Sequence, residues 1–134
     1  MPLMQWSNEM SVHIKLVDDQ HMKLVGMLNR IWDAMRERKA DTVMASVLTD
    51  LLDYTSYHFS TEEGLFRVHH YPERSRHRRE HEELTDRARK LNERYSSGDL
   101  SVIEFLQFLK DWLNDHIIGS DKKFGPFLNS KGIH

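Results

Sequence analysis

His58-Phe59-Ser60-Thr61-Glu62 and His77-Arg78-Arg79-Glu80-His81 decide the fold. In each stretch the first and last residues are four apart, so on a helix they project from one face. Apolar residues at helical spacing extend both faces. Val47, Leu51 and Tyr54 lead into His58, Glu62 and Leu65, and His77 and His81 lead on to Leu84, Ala88, Leu91 and Tyr95. The titratable residues therefore lie on the stripes that should form the core of a helical bundle. An unpaired buried polar group costs about 2–7 kcal/mol. Such a core is tenable only if something binds these groups.

Two further stripes flank the pair. Val17, His21, Leu24, Leu28, Ile31 and Met35 alternate by four and three, with Asp18 as the expected N-cap of this first helix. Asp41 is the expected cap of the second. Pro72 suits the first position of the third helix, with Glu73 beside it at the positive end of the dipole. Ser96-Ser97-Gly98-Asp99 ends the third helix, with Gly98 expected in the left-handed region. Ser101 and Glu104 form a capping-box pattern for the fourth, whose stripe is Val102, Phe105, Leu109, Trp112 and His116. Short connections make neighbours antiparallel, so the expected fold is an all-α, up-down-up-down four-helix bundle with an irregular N-terminal arm, in one domain spanning 1–134.

His21 and His77 lie near the starts of odd helices, and His58, Glu62 and His116 near the ends of even ones. In an antiparallel bundle these positions share one end, so the candidate ligands meet in a single layer. Asp121 is five residues beyond His116 and would point about 140° away on a helix of ~3.6 residues per turn. Gly119 between them allows the helix to end or widen so that Asp121 turns back.

Composition narrows the chemistry. The 134 residues carry 30% charged side chains at a net charge of −2, with the signs interspersed, which gives no bias toward nucleic acid or anionic lipid. Zero cysteines exclude disulfides, thiolate sites and iron–sulfur ligation. No signal-like segment or membrane-length apolar run is visible, so the expected compartment is the cytoplasm. Five imidazoles and two carboxylates suit iron, zinc, copper or nickel, and argue against Cu(I) and closed structural zinc. Two carboxylates among seven ligands suggest bridges between a pair of ions. The shell is richer in histidine than that of ferritin-like di-iron proteins.

The segments Val17-Asp18-Asp19-Gln20-His21, His58-Phe59-Ser60-Thr61-Glu62-Glu63, His77-Arg78-Arg79-Glu80-His81 and Trp112-Leu113-Asn114-Asp115-His116-Ile117-Ile118-Gly119-Ser120-Asp121 resemble the signature stretches of the hemerythrin family, in particular its bacterial single-domain members. The resemblance extends over nearly the whole chain, including the Trp6 arm and the Lys122–Phe127 tail. It implies a non-haem di-iron centre, two Fe ions with an oxo or hydroxo bridge, that binds dioxygen reversibly. By the same resemblance His77, His81 and His116 hold one iron and His21 and His58 the other. Glu62 and Asp121 bridge them, and dioxygen takes the open position on the second iron. Leu113 and Ile117 would place apolar side chains against the bound dioxygen.

His13, His69, His70 and His134 are read as solvated bystanders, Trp32 and Trp112 as core filler, and the basic run Arg74–Arg79 as a solvated face. His70 stands where the family often has a small residue. The expected function is that of a monomeric oxygen carrier or store, not an enzyme, handing oxygen to an unidentified protein partner. An oxygen or redox sensor working through a partner, or a di-iron enzyme acting on peroxide or nitric oxide, are the alternatives.

Overall fold

The computed structural model describes residues 2–38 and 41–134, with side chains throughout except at 41–43, so the expected Asp41 cap lies outside the described residues. Four long helices carry the fold: α1 (Lys15–Arg36), α2 (Asp41–Val68), α3 (Arg74–Ser96) and α4 (Val102–Asp115). Each packs on its chain neighbour, and α1 also packs on α4, which closes a four-helix ring. A six-residue π-helical segment, His116–Asp121, joins α4 to a shorter α5 (Lys122–Ser130). No strand is present among the described residues, as the sequence pattern requires.

The helix ends follow local chemistry. Gly98 adopts φ +82, and the Asp99 amide donates to the Arg94 carbonyl while that of Gly98 donates to Tyr95, which is the paired C-terminal motif expected there. α2 ends the same way with a non-glycine: His70 sits at φ +56, Tyr71 N–H donates to the Phe66 carbonyl at 2.9 Å, and the two rings pack at 5.0 Å. Ser101 caps α4 by accepting from the Glu104 amide.

Two expected caps are corrected. α1 starts at Lys15, so Asp18 lies in its first turn and not at its cap; its carboxylate accepts from Ser11 Oγ (2.6 Å) and the Val12 amide (2.9 Å), tying the arm to the helix. Pro72 lies in the turn before α3, and Glu73 takes the cap position without a side-chain bond. The α2 stripe is also offset. Its deepest apolar residues are Met44, Leu48, Leu51, Phe59 and Phe66, while Val47 and Leu65 are only partly buried.

The apolar interior has two parts. One fills the bundle through Leu24, Leu28, Ile31, Leu48, Phe105 and Leu106. The other comprises Val12, Ile14 and Val17 against Phe66, Tyr71, Phe124 and Leu128, and closes one end with the arm and α5. The polar cluster lies between them.

Candidate metal centre

Seven polar residues are almost wholly buried at this level: His21, His58, Glu62, His77, His81, His116 and Asp121, with both carboxylates at 0% exposure. The sequence stripes placed six of them, the widening expected at Gly119 admitted Asp121, and the structure brings all seven together. One turn of α1, the end of α2, the start of α3 and the residue directly after α4 deliver six of them. The seventh depends on the π segment. Its i→i+5 bonding sets His116 and Asp121 one wide turn apart, and His116 Nε2 comes 3.0 Å from Asp121 Oδ1. The 140° mismatch of an ordinary helix is removed by widening the turn.

The carboxylate oxygens divide the histidines. Glu62 Oε1 faces His81 (3.0 Å) and His77 (3.4 Å), and Asp121 Oδ1 faces His77 and His116 (3.0 Å each). Glu62 Oε2 faces His58 (3.1 Å) and His21 (3.4 Å), and Asp121 Oδ2 faces His21 (3.0 Å). Two overlapping groups result, one with three imidazoles and one with two, sharing both carboxylates.

These distances are short, yet the atoms are not hydrogen-bonded. Both oxygens of Glu62 and of Asp121, and Nε2 of His21, His58 and His77, have no hydrogen-bond partner. They point to common points in space, not at one another, as donor atoms around a cation do. The outer ring nitrogens reinforce this. His58 Nδ1 donates to Gln20 Oε1 at 2.6 Å, His81 Nδ1 to Glu63 Oε2 at 3.0 Å, and His116 Nδ1 lies 3.3 Å from Glu80 Oε2. With Nδ1 protonated, Nε2 presents its lone pair inward. His81 Nε2 and His116 Nε2 then face each other at 3.2 Å, a repulsive arrangement unless an electrophile lies between them. The donor set fits a pair of transition-metal ions.

Electrostatics agree. Burial opposes charge on His21, but the Asp121 and Glu62 carboxylates outweigh it and raise its pKa to about 9. The same balance raises His77 to about 9, and His116, beside Asp121 and Glu80, to about 10. Burial would neutralise Glu62 and Asp121, but the surrounding imidazoles hold both well below the usual carboxylate range. Two anions buried at one spot demand positive charge. Bound metal would supply it in place of protons.

Sequence reasoning missed Gln20, Glu63 and Glu80. Gln20 is buried and bonds Thr61 Oγ1 with its other end; its spacing of three from Val17 and four from Leu24 was the available signal. Glu80 also accepts from Ser120 Oγ, and His116 with Ser120 holds its pKa at about 2. Trp112 packs against the core as expected and also stacks on His116 at 4.4 Å, as Phe59 stacks on His81 at 3.8 Å. Leu113 and Ile117 are both buried on the same stretch. His13, His69, His70 and His134 belong to neither group.

A four-helix bundle with a buried histidine–carboxylate cluster able to hold metal is the class that fold and site define. Residues 12–128 match the family model described as the hemerythrin HHE cation binding domain. The chain is 31% identical over 124 residues to a bacteriohemerythrin of Stenotrophomonas maltophilia, covering 92% of this chain and 80% of that one. A bacteriohemerythrin of Methylococcus capsulatus is 30% identical over 132 residues, covering 97% and 100%. A wild-type hemerythrin crystal structure superposes with TM-score 0.84 at 29% identity, covering 92% of this chain and 96% of that one. The chain belongs to the hemerythrin family. No helix among the described residues is long and apolar enough to cross a membrane.

Proposed function

We propose that this protein binds dioxygen reversibly as a carrier or store, at a pair of iron ions held by these seven residues, and that it works in the cytoplasm as a monomer. The observation that carries the reading is the division of the Glu62 and Asp121 oxygens between a three-histidine and a two-histidine group. His77, His81 and His116 would hold one ion, His21 and His58 the other, and Glu62 and Asp121 both. When bound, the iron pair supplies the two electrons that reversible dioxygen binding requires.

The chain's part is to orient and to exclude. Gln20, Glu63 and Glu80 fix three imidazoles with Nε2 inward. Phe59, Trp112, Phe66 and Phe124 wall the three-histidine side with rings, leaving those nitrogens no freedom to turn. The two-histidine group offers fewer donors from the same buried space, so the ligand position left open belongs there. Leu113 and Ile117, one turn apart beside His116, supply apolar surface that keeps water and anions from that position. Among the described residues, no acid–base side chain outside the seven and their outer partners converges on the cluster, which weighs against substrate chemistry.

The test is metal analysis with optical absorption of the isolated protein, reduced without air and then re-exposed. Two irons per chain and a visible band that appears with air and disappears on its removal are expected. One zinc and no iron after expression in iron-replete medium would overturn the reading.

A further inference from the structure

One helical turn from the polar cluster, on the side of the bundle core, lies a cavity of about 230 Å³. All four helices contribute to its inner wall, through Leu24 and Leu28, Leu51, Ala88, and Leu109. It opens between α2 and α3, where Asp53, Ser56, Arg89 and Asn92 form the rim. The inner wall is apolar, and an engineered apolar cavity of about 150 Å³, smaller than this one, takes benzene. Dioxygen needs far less room than this one provides.

We propose that this cavity is a binding site for a neutral, apolar molecule of about six to ten carbon atoms, such as a substituted benzene. Size follows from the volume. Neutrality follows from the rim: the Asp53 carboxylate repels an anionic head group, and the Arg89 guanidinium is bonded to Asp86 Oδ1 at 2.5 Å. The Arg89 guanidinium on the same rim repels a cationic one. The occupant would rest against Trp112, which itself stacks on His116 of the cluster. The site stands on its own geometry, whatever metal the cluster holds.

Xenon-pressurised crystals of the metal-loaded protein test the cavity directly, with density expected between Leu28, Leu51 and Ala88. Toluene, well above its Kd, should raise Tm by several degrees through mass action, and benzoate, of the same shape but charged, should not. Ala88→Leu, which fills the space from α3, should abolish the toluene shift at unchanged metal content. Leu28→Phe repeats the test from α1 if Ala88→Leu does not fold. Absence of xenon from the cavity, or a toluene shift equal in parent and filled variant, overturns the site. An equal shift with benzoate overturns its preference for a neutral ligand.

Discussion

His116 Nε2 lies 3.0 Å from Asp121 Oδ1 although the residues are five apart, because the turn between them is π-helical. Gly119 stands inside that turn, yet its backbone is not left-handed and an added Cβ would meet nothing within 4 Å. The wide turn is therefore held by its contacts and not by glycine freedom. The Ser120–Glu80–His116 link from α3 is the contact placed to hold it. Gly119→Ala should keep full metal content and raise stability by about 0.4–1 kcal/mol, since it restricts the unfolded chain. Gly125→Ala should do the opposite, because its Cβ would come 2.7 Å from the Val12 carbonyl oxygen and push the arm off α5. Denaturation midpoints of the two variants decide both.

Glu62 shows one oxygen to each histidine group. If each group holds one ion, Glu62→Ala should cost both, whereas His58→Ala should cost chiefly the two-histidine ion. Metal per chain after desalting, expected near zero for the first and near one for the second, separates shared from single ligands. His13→Ala and His134→Ala should retain the parent content; loss in either would return a bystander to the site.

Gln20 illustrates what the sequence could and could not disclose. Six of the seven cluster residues were legible because each interrupts an apolar stripe, and the up-down order put them at one end. Asp121 was legible only as a residue needing a non-standard turn; the π segment depends on contacts from α3 that no spacing records. Gln20, Glu63 and Glu80 act through outer ring nitrogens; Gln20 had the stripe spacing as its signal, but nothing in Glu63 or Glu80, beside a helix face, tells whether it reaches inward. Asp18 and Pro72 carried genuine end signals, but packing of the arm moved the start of α1 four residues earlier, and the α2–α3 turn moved the start of α3 later.

Gln20→Ala should weaken metal affinity about 10–100-fold, the usual consequence of losing an outer partner. Competition with a chelator of known affinity measures this. Equal affinity in variant and parent would mean that the 2.6 Å contact to His58 Nδ1 does not orient the ring.

The metal-free cluster should be pH-sensitive in a defined direction. His21, His77 and His116 stand at about 9, 9 and 10, above the ordinary 6.5. Because the folded values are raised, their stabilisation is fully present below about pH 6.5 and is lost as pH climbs through 9 to 10. Glu62 and Asp121 are depressed, so their contribution holds above the ordinary carboxylate range and is lost on acidification. Tm of the metal-free chain should therefore fall from pH 6.5 toward 10, while the loaded protein changes less. Loading at pH 7 should release protons, visible as calorimetric heats that depend on the ionisation enthalpy of the buffer. A metal-free Tm that rises from pH 6.5 to 10 would contradict the assigned charge states.

Leu113 and Ile117 are buried one turn apart beside His116, and Leu113 also borders the apolar cavity. If their surface keeps water and anions from the open ligand position, trimming either should hasten irreversible oxidation of the dioxygen-bound protein. Leu→Ala or Ile→Ala in a core costs about 2–5 kcal/mol through packing alone, so a lower Tm is expected whatever the role. Rate and stability must be separated. The measurement is the autoxidation rate of iron-replete Leu113→Ala and Ile117→Ala, at a temperature where circular dichroism shows each fully folded, against a core variant remote from the cluster, Leu106→Ala. The two nearby variants should autoxidise several-fold faster than the parent, and Leu106→Ala at the parental rate. If all three match the parent, the apolar wall does not guard the site. If all three are equally fast, the effect is loosened packing and not local exclusion of water.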